Sequence, residues 1–317
     1  MSVKEELLRL LEQRRGEDLS GEQLARELGV SRSAVWKAVG SLKEEGYEIS
    51  SVTHRGYRLA ADSDRLSYAA IAAALGEMEL PIHIYRSIDS TNAEAKRRIS
   101  QGQRNFLVVA EGQSQGRGRQ GRSFFSPEGS GLYMSYAFSP AMSMAQAVNI
   151  TSYAAVCAAE AIESLCGKRC GIKWVNDLYL EGKKVGGILT EAVTDLESGQ
   201  VASVVLGLGI NLRPAAVPEE LEHIVGFVGA AGVRNALCAE IVRRLSCFDP
   251  RDTGYMHRYR ERSVVLGRAV SFVLGGVETE GLAVEITDDG GLVVDSGGES
   301  HILRGGEISL KHIEGIK

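Results

Sequence analysis

The sequence predicts an α+β protein in which a small helix-turn-helix module precedes a central mixed sheet backed by helices. Three observations carry that expectation. In the first sixty residues helical periodicity recurs three times and then gives way to a short extended hairpin. After residue 80, extended apolar runs recur around Ile82 to Ile88, Phe106 to Glu111, Leu132 to Phe138, Ile172 to Leu180, Val185 to Val193 and Val201 to Leu212. Helical patterns lie between them at Asn92 to Ile99, Met142 to Leu165 and Asn235 to Phe248, too few to give every strand pair a crossover, so the sheet should be largely antiparallel.

In the N-terminal module, Leu7, Leu8, Leu10 and Leu11 make one apolar stripe. A second helix opens at Ser20-Gly21-Glu22-Gln23, an S-x-x-Q capping box, and buries Leu24, Ala25 and Leu28 before Gly29 permits a tight turn. Ser31 caps a third helix that runs through Val35, Val39 and Leu42 to Gly46. Tyr47 to Val52 then reads as a strand, Thr53-His54-Arg55-Gly56 as a turn and Tyr57-Arg58-Leu59 as the returning strand, a wing. Residues 1–60 carry ten basic and ten acidic side chains, but from Gly29 to Ala60 Arg32, Lys37, Lys43, Arg55 and Arg58 outnumber Glu44, Glu45 and Glu48. The positive excess therefore sits where phosphate contacts are made. A partner adaptor would share this pattern; the short polar donors of Ser31-Arg32-Ser33 at the helix entry favour DNA. Ser31, Arg32, Ser33, Trp36 and Lys37 on the third helix, with Arg55 and Arg58 on the wing, are the candidate contacts. The polar connector Ala60 to Arg65 closes a first domain at residues 1–62.

Composition narrows the possibilities further. At 317 residues, 44% hydrophobic and 24% charged, the chain has room for two or three domains with ample cores. A net charge of -5 excludes a generic polyanion binder, so any nucleic-acid surface is a local patch. There is no apolar run of membrane-spanning length and no basic-then-apolar leader, which predicts a cytoplasmic protein without a membrane partner. The five cysteines form no C-x-x-C pair and have no histidine at ligand spacing, so no dedicated metal site is expected. Asn149-Ile150-Thr151 spells a glycosylation acceptor that has no meaning in that compartment.

Two segments carry chemistry: Gly116-Arg117-Gly118-Arg119-Gln120-Gly121-Arg122, and Lys173-Trp174-Val175-Asn176-Asp177-Leu178-Tyr179 followed by Lys183 and Lys184. The first matches the dinucleotide pattern G-x-G-x-x-G after a plausible strand. It fails that reading because Arg122 to Pro127 is a poor helix start and no acidic residue occurs between Glu128 and Glu160 to take a ribose hydroxyl. Glycines that let the backbone fold tightly, with guanidinium forks between them, suit an anionic ligand instead. A solvated basic loop would explain neither the glycine spacing nor the aromatic residues that follow.

With these belong Asp89-Ser90-Thr91-Asn92, Ala110-Glu111-Gly112-Gln113, Ser126-Pro127 through Gly131-Leu132-Tyr133, Gly186-Gly187-Ile188-Leu189 through Glu191, and Gly207-Leu208-Gly209-Ile210-Asn211-Leu212. In this order the segments resemble the biotin protein ligases, and the N-terminal module resembles that of the bifunctional members, the biotin operon repressors. The resemblance covers essentially the whole chain. It implies a class II synthetase-like catalytic domain at residues 66–266 and an SH3-like small barrel at 267–317, where Arg268 to Phe272, Leu282 to Ile286 and Gly291 to Asp295 read as strands and Asp288-Asp289-Gly290-Gly291 as a turn. That barrel would serve nucleotide or acceptor docking, or act as a structural cap. Val175 stands where the family usually has proline, and Phe124 where a tryptophan is common.

The resemblance implies a two-step acyl transfer: biotin and ATP form biotinyl-5'-adenylate, then a lysine amine of biotin carboxyl carrier protein, an acetyl-CoA carboxylase subunit, takes the biotinyl group. Both reactants of the first step are anions, and two unit charges 4 Å apart repel by about 4 kcal/mol at an effective dielectric of 20, so fixed cations are needed. Lys184 and Arg119 match the family's positions for them, although alone Lys184 would read as a solvated hairpin lysine. Biotin would be held by Ser90, Thr91, Asn92, Gln113, Arg117, Gly118, Arg119 and Lys184; ATP by Arg119, Arg122, Phe124, Asn176, Asp177 and Asn211, with Mg²⁺ arriving on substrate phosphates and touching Asp177. Ser90-Thr91-Asn92 equally fits a helix N-cap. The loop from Gly112 to Ser130 is expected to move when ligand binds. Operator DNA and, with ligand bound, a second copy of the chain are the further partners implied. A lipoate-type ligase, or a biotin-sensing regulator without ligase activity, are the alternatives.

Overall fold

The computed structural model describes residues 2–52, 55–139, 149–194, 201–274, 277–304 and 310–313. They fall into two compact units, Met1–Leu80 with Ala230–Glu240, and Pro81–Gly229 with Ile241–Lys317.

The first unit opens with helices α1 (Val3–Gln13), α2 (Gly21–Leu28) and α3 (Arg32–Glu44). The leucine stripe of α1 packs with Leu24, Val35, Val39, Leu42, Ile49 and Leu59 in one core. Burying each such leucine contributes about 1.5–3 kcal/mol, which is what holds three short helices together. Ser20 Oγ accepts from the Gln23 amide as expected, but Gln23 turns its own amide to Glu27 Oε1 at 3.0 Å. The capping box at Ser20 is therefore half made. A complete one stands at Ser2 and Glu5, where the sequence reading placed none. Gly29, with φ 64°, and the Val30 amide on the Ala25 carbonyl make the tight turn, and Ser31 Oγ caps α3 through the Ala34 amide.

Strands β1 (Ile49–Val52) and β2 (Gly56–Leu59) pair antiparallel, Ile49 opposite Leu59 and Val52 opposite Gly56. Of the expected turn, Thr53 and His54 lie outside the described residues. Helix α4 (Tyr68–Leu75), capped by Ser67, packs on α1. It escaped the sequence reading because an alanine-rich segment apolar on most sides shows no stripe. The stretch before it is pinned by Arg234 and Asn235: the Arg234 amide donates to Asp64 at 3.0 Å, and Asn235 Oδ1 accepts from the Ser67 amide at 2.9 Å.

The second unit is built on strands β3 (Ile82–Ile88), β4 (Phe106–Gln113), β5 (Gly131–Phe138), β6 (Gly171–Lys173), β7 (Asp177–Leu180), β8 (Lys183–Thr194) and β9 (Val201–Asn211). Their order is β3-β4-β5-β9-β8-β7-β6, with β3 and β4 parallel and every other neighbouring pair antiparallel. Helices α5 (Thr91–Ser100) and α6 (Ile150–Cys166) pack on strands of this sheet, α7 (Arg234–Leu245) lies later in the chain, and α8 (Tyr255–Glu261) rests on α6. The start expected for α6, Met142 to Val148, lies outside the described residues. The single strand expected over Ile172 to Leu180 is a correction: it is two strands, because residues 174–176 turn the chain so that Lys173 faces Asp177. At the C-terminal end, β10 (Ala269–Leu274), β11 (Val277–Ile286), β12 (Leu292–Ser296), β13 (Glu299–Leu303) and β14 (Leu310–Ile313) form an antiparallel sheet in the order β13-β12-β11-β10-β14. The turn between β11 and β12 closes where the Asp-Asp-Gly-Gly run placed it.

One glycine controls the junction of hairpin and helices. Gly56 has φ 106°, and a Cβ there would lie 2.0 Å from the Leu19 carbonyl oxygen, against which Tyr57 makes its paired backbone bonds. Gly56→Ala should cost the first unit about 2 kcal/mol or more, seen in calorimetry as an earlier transition for that unit with the other unit's transition unmoved.

Candidate active site

A cavity opens on the face of the seven-stranded sheet, and β9 makes its floor. The floor must be bare. A Cβ on Gly207 would lie 2.1 Å from Asn92 Oδ1, and one on Gly209 2.3 Å from the Phe124 ring. Side chains from α5 and from the glycine-rich loop therefore rest directly on the β9 backbone.

One end of the cavity is neutral and polar. Ser90 occupies the N-cap position of α5, yet its hydroxyl makes no capping bond, which leaves it for a ligand. The Thr91 amide donates to Gln113 Oε1 at 2.9 Å, and Gln113 Nε2 donates to Ser126 Oγ at 2.9 Å. Asn92 is consumed by structure: its Oδ1 lies 2.6 Å from Ser135 Oγ, and its Nδ2 donates to Glu191 Oε2 at 2.9 Å. Glu191 in turn pairs with Lys96 at 2.7 Å. Burial raises the Glu191 pKa, and the Lys96 and Asn92 hydrogen bonds with the charges of Lys96 and Arg117 outweigh it, so the net shift is downward.

The other end is charged. The loop folds on itself through a bridge between Arg117 and Ser123 and a 2.7 Å bond from the Gly118 amide to the Arg122 carbonyl. This places Arg117, Gly118, Arg119, Arg122 and Phe124 along one wall, with Lys173, Trp174, Asn176, Asp177 and Lys184 along another. Arg119 Nη1 donates to Asn176 Oδ1 at 3.3 Å, and Asn176 Nδ2 donates to the Ile188 carbonyl at 2.8 Å. Lys184 Nζ sits 2.8 Å from Asp177 Oδ1 and 6.0 Å from the centre of the Phe124 ring. Among the described residues lining the cavity, five cations face the single carboxylate of Asp177. Burial lowers the Arg119 pKa, opposed by the charges of Asp177 and Tyr259. Burial also lowers that of Lys173; Asp177 opposes this, while Lys184 and Arg122 add to it. Such an array binds a polyanion and stabilises charge growing between two anionic groups. No cluster of three metal-ligating side chains occurs among the described residues, and Asp177 is the one carboxylate in the described lining of the cavity.

The first unit presents a separate surface. Ser31, Arg32, Ser33 and Lys37 are exposed on α3, and Trp36 is 67% exposed beside them. Of these, Arg32, Ser33 and Trp36 border a concavity shared with Ser51 and Arg55 of the hairpin, whereas Ser31 and Lys37 are not in its lining. Arg58 is held elsewhere, by bidentate bonds of 2.6 and 2.7 Å to Asp18, and Arg55 reaches the same carboxylate at 3.6 Å.

Comparison with known proteins agrees with this geometry. The biotin/lipoate A/B protein ligase family model matches residues 84–211, a helix-turn-helix model residues 3–58 and the biotin protein ligase C-terminal model residues 265–311. The bifunctional ligase/repressor BirA of Bacillus subtilis is 35% identical over 261 residues, 80% of each chain. The chain belongs to the bifunctional biotin protein ligases. The Escherichia coli ligase/repressor is 32% identical across 94% of the chain and 95% of its own length. The solved biotin protein ligase of Aquifex aeolicus in complex with biotin and ATP superposes with a TM-score of 0.62 at 25% identity, covering 73% of the chain and 99% of its own.

In the ligase the predicted residues Ser90, Thr91, Asn92, Gln113, Arg117, Gly118, Arg119, Arg122, Phe124, Asn176, Asp177 and Lys184 all line one cavity. Asn211 does not. It is two residues beyond Gly209 on the same strand, 3% exposed, with a buried Oδ1 that has no hydrogen-bond partner among the described residues. Lys173 and Trp174 line the cavity without having been assigned a role; their place inside the second motif was the available signal. Ser135, which braces Thr91 and Asn92, sits in an apolar strand and gave no signal. Asn92→Ala would remove the partner of Glu191 Oε2 and one of the two contacts of the Ser135 hydroxyl, and should destabilise the ligase by about 1–3 kcal/mol in denaturant unfolding.

Proposed function

We propose that this ligase activates biotin with ATP and transfers it to one lysine of biotin carboxyl carrier protein, and that it represses transcription by binding operator DNA as a ligand-dependent homodimer. The observation that carries the first half is the neutral polar pocket at Ser90, Thr91 and Gln113 opening directly onto the cationic end at Arg119 and Lys184. That gradient fits a ligand with an uncharged ureido head and a carboxylate tail.

In the first step a biotin carboxylate oxygen attacks the α-phosphorus of ATP, and pyrophosphate leaves. Arg119 and Lys184 bring the two anions together, and Lys184 exchanges Asp177 for phosphate and carboxylate oxygens. Arg122, Lys173 and Asn176 hold the nucleotide's polar groups, while Phe124 offers its ring to the purine. Mg²⁺ would neutralise the phosphates, held by Asp177 and water. In the second step the acceptor amine attacks the acyl carbon and AMP leaves. Arg119, closing the loop, retains the adenylate until then.

We assign residues 1–62 to operator binding, 66–266 to catalysis and 267–317 to a small SH3-like domain, in keeping with the three matched regions. The β1–β2 hairpin is the wing beside a recognition helix α3. Among the described residues no helix is long and apolar enough to cross a membrane, and we place the protein in the cytoplasm.

Incubation with ATP, labelled biotin and a carboxyl-carrier domain should label the carrier. Lys184→Gln should slow adenylation about 100-fold or more, and Arg119→Gly should release adenylate that labels unrelated proteins. Preference for lipoate, or adenylation unaffected by Lys184→Gln, would refute the assignment. For the repressor half, Asp18→Asn frees Arg55 and Arg58. It should tighten binding to DNA of arbitrary sequence and steepen the slope of log K against log salt by about one; an unchanged slope would remove the hairpin arginines from the interface.

A further inference from the structure

The small C-terminal sheet lends no side chain to the lining of the cavity among the described residues, yet it touches the motif that builds the charged end. Trp174, 6% exposed and lining the cavity, donates its indole Nε1–H to the Gly290 carbonyl at 2.9 Å. Gly290 lies in the turn between β11 and β12, with φ 80°. That turn is closed by backbone bonds between residues 287 and 291 and by Thr287 Oγ1, which accepts from the Gly291 amide at 2.9 Å. It is further anchored to α8, where Arg260 Nε donates to the Ile286 carbonyl at 2.6 Å and the same guanidinium pairs with Asp288. The next residue is also held from α8: Tyr259 donates its hydroxyl to the Val175 carbonyl at 3.1 Å. Beyond it, Asn176 is fixed to Ile188 through both side chain and carbonyl.

We propose that Trp174 is a positioning residue for the nucleotide end of the site, and that its bond to Gly290 is what makes the C-terminal turn part of that end. The bonds at residues 174, 175 and 176 set the path of the turn from which Lys173, Asn176 and Asp177 project. Releasing the first leaves Asn176 and Asp177 free to drift from the phosphates, while Ser90, Thr91 and Gln113, braced through α5, β4 and β5, stay in place. The inference rests on the nucleotide reading above and sharpens it, because it separates the two substrates.

The test is a double-mutant cycle in full-length protein, read by biotin-dependent exchange of pyrophosphate into ATP. Trp174→Phe keeps a ring in the wall and removes the N–H donor. Thr287→Val removes a hydrogen bond that shapes the turn carrying Gly290, and it lies outside the cavity lining. Each should raise the KM for ATP about fivefold, the scale of one hydrogen bond, and leave the KM for biotin at the wild-type value. The double variant should be no worse than the worse single one, because both act through the same bond. Effects that multiply, an equal rise in the KM for biotin, or a wild-type KM for ATP in either single variant would overturn the inference. If Trp174→Phe does not fold, Thr287→Val alone decides it by the same split between the two KM values. Exchange absent from the wild type would overturn the nucleotide reading and the inference together; exchange present with independent variants would overturn the inference alone.

Discussion

The site depends on a sheet whose face is stripped of side chains where the ligand lies. Gly207 and Gly209 in β9 bring Asn92 and Phe124 against backbone, and in the neighbouring strand a Cβ on Gly187 would meet Lys184 and Asp177 at 3.3–3.4 Å. Glycine is costly inside strands because it packs nothing and loses more chain entropy than any other residue. Its concentration at this place is tolerable because the antiparallel ladder on both sides of β9 is long and continuous. Rigid strands then hold the charged groups, and the loop supplies the rest.

Electrostatics explains why the groups are so closely interlocked. Several cations in one half-buried cavity repel one another, and burial disfavours the charged forms of Arg119 and Lys173. Asp177 offsets part of that by pairing with Lys184, and Asn176 accepts from Arg119. These contacts hold Lys184 and Arg119 in place within the cavity. A parallel economy operates in the first unit, where Asp18 holds the hairpin arginines. At both surfaces a single carboxylate holds neighbouring cations.

The two polar networks differ in their tasks. Around Asn92, every side-chain donor and acceptor is matched by protein, so this residue braces the pocket more than it reads a ligand. Ser90 is the reverse: it stands at a helix N-terminus with its hydroxyl unused in capping. Neighbouring residues of one short motif thus differ in how far the protein itself engages them. Sequence spacing alone assigns them alike.

Much of the fold was legible locally. The α1 leucines, the Ser31 cap, the Gly29 turn and the strands of the central sheet follow from periodicity and from turn chemistry, both of which act over a few residues. The glycine and arginine loop around Arg119 was legible as an anion site, whereas Lys184, which alone reads as a solvated hairpin lysine, took its role from the family resemblance of the motifs around it. What local pattern does not carry is partnership across the chain. That Ser135 braces Asn92, that Arg58 belongs to Asp18, that Gly290 receives the Trp174 indole and that Asn211 ends up buried beside the cavity are facts of tertiary packing, made by residues 40 to 116 positions apart or by strand neighbours. Hydrogen bonds at such separations cost no more than local ones once the sheet has formed, but nothing in a short window of sequence specifies which of many polar groups will meet.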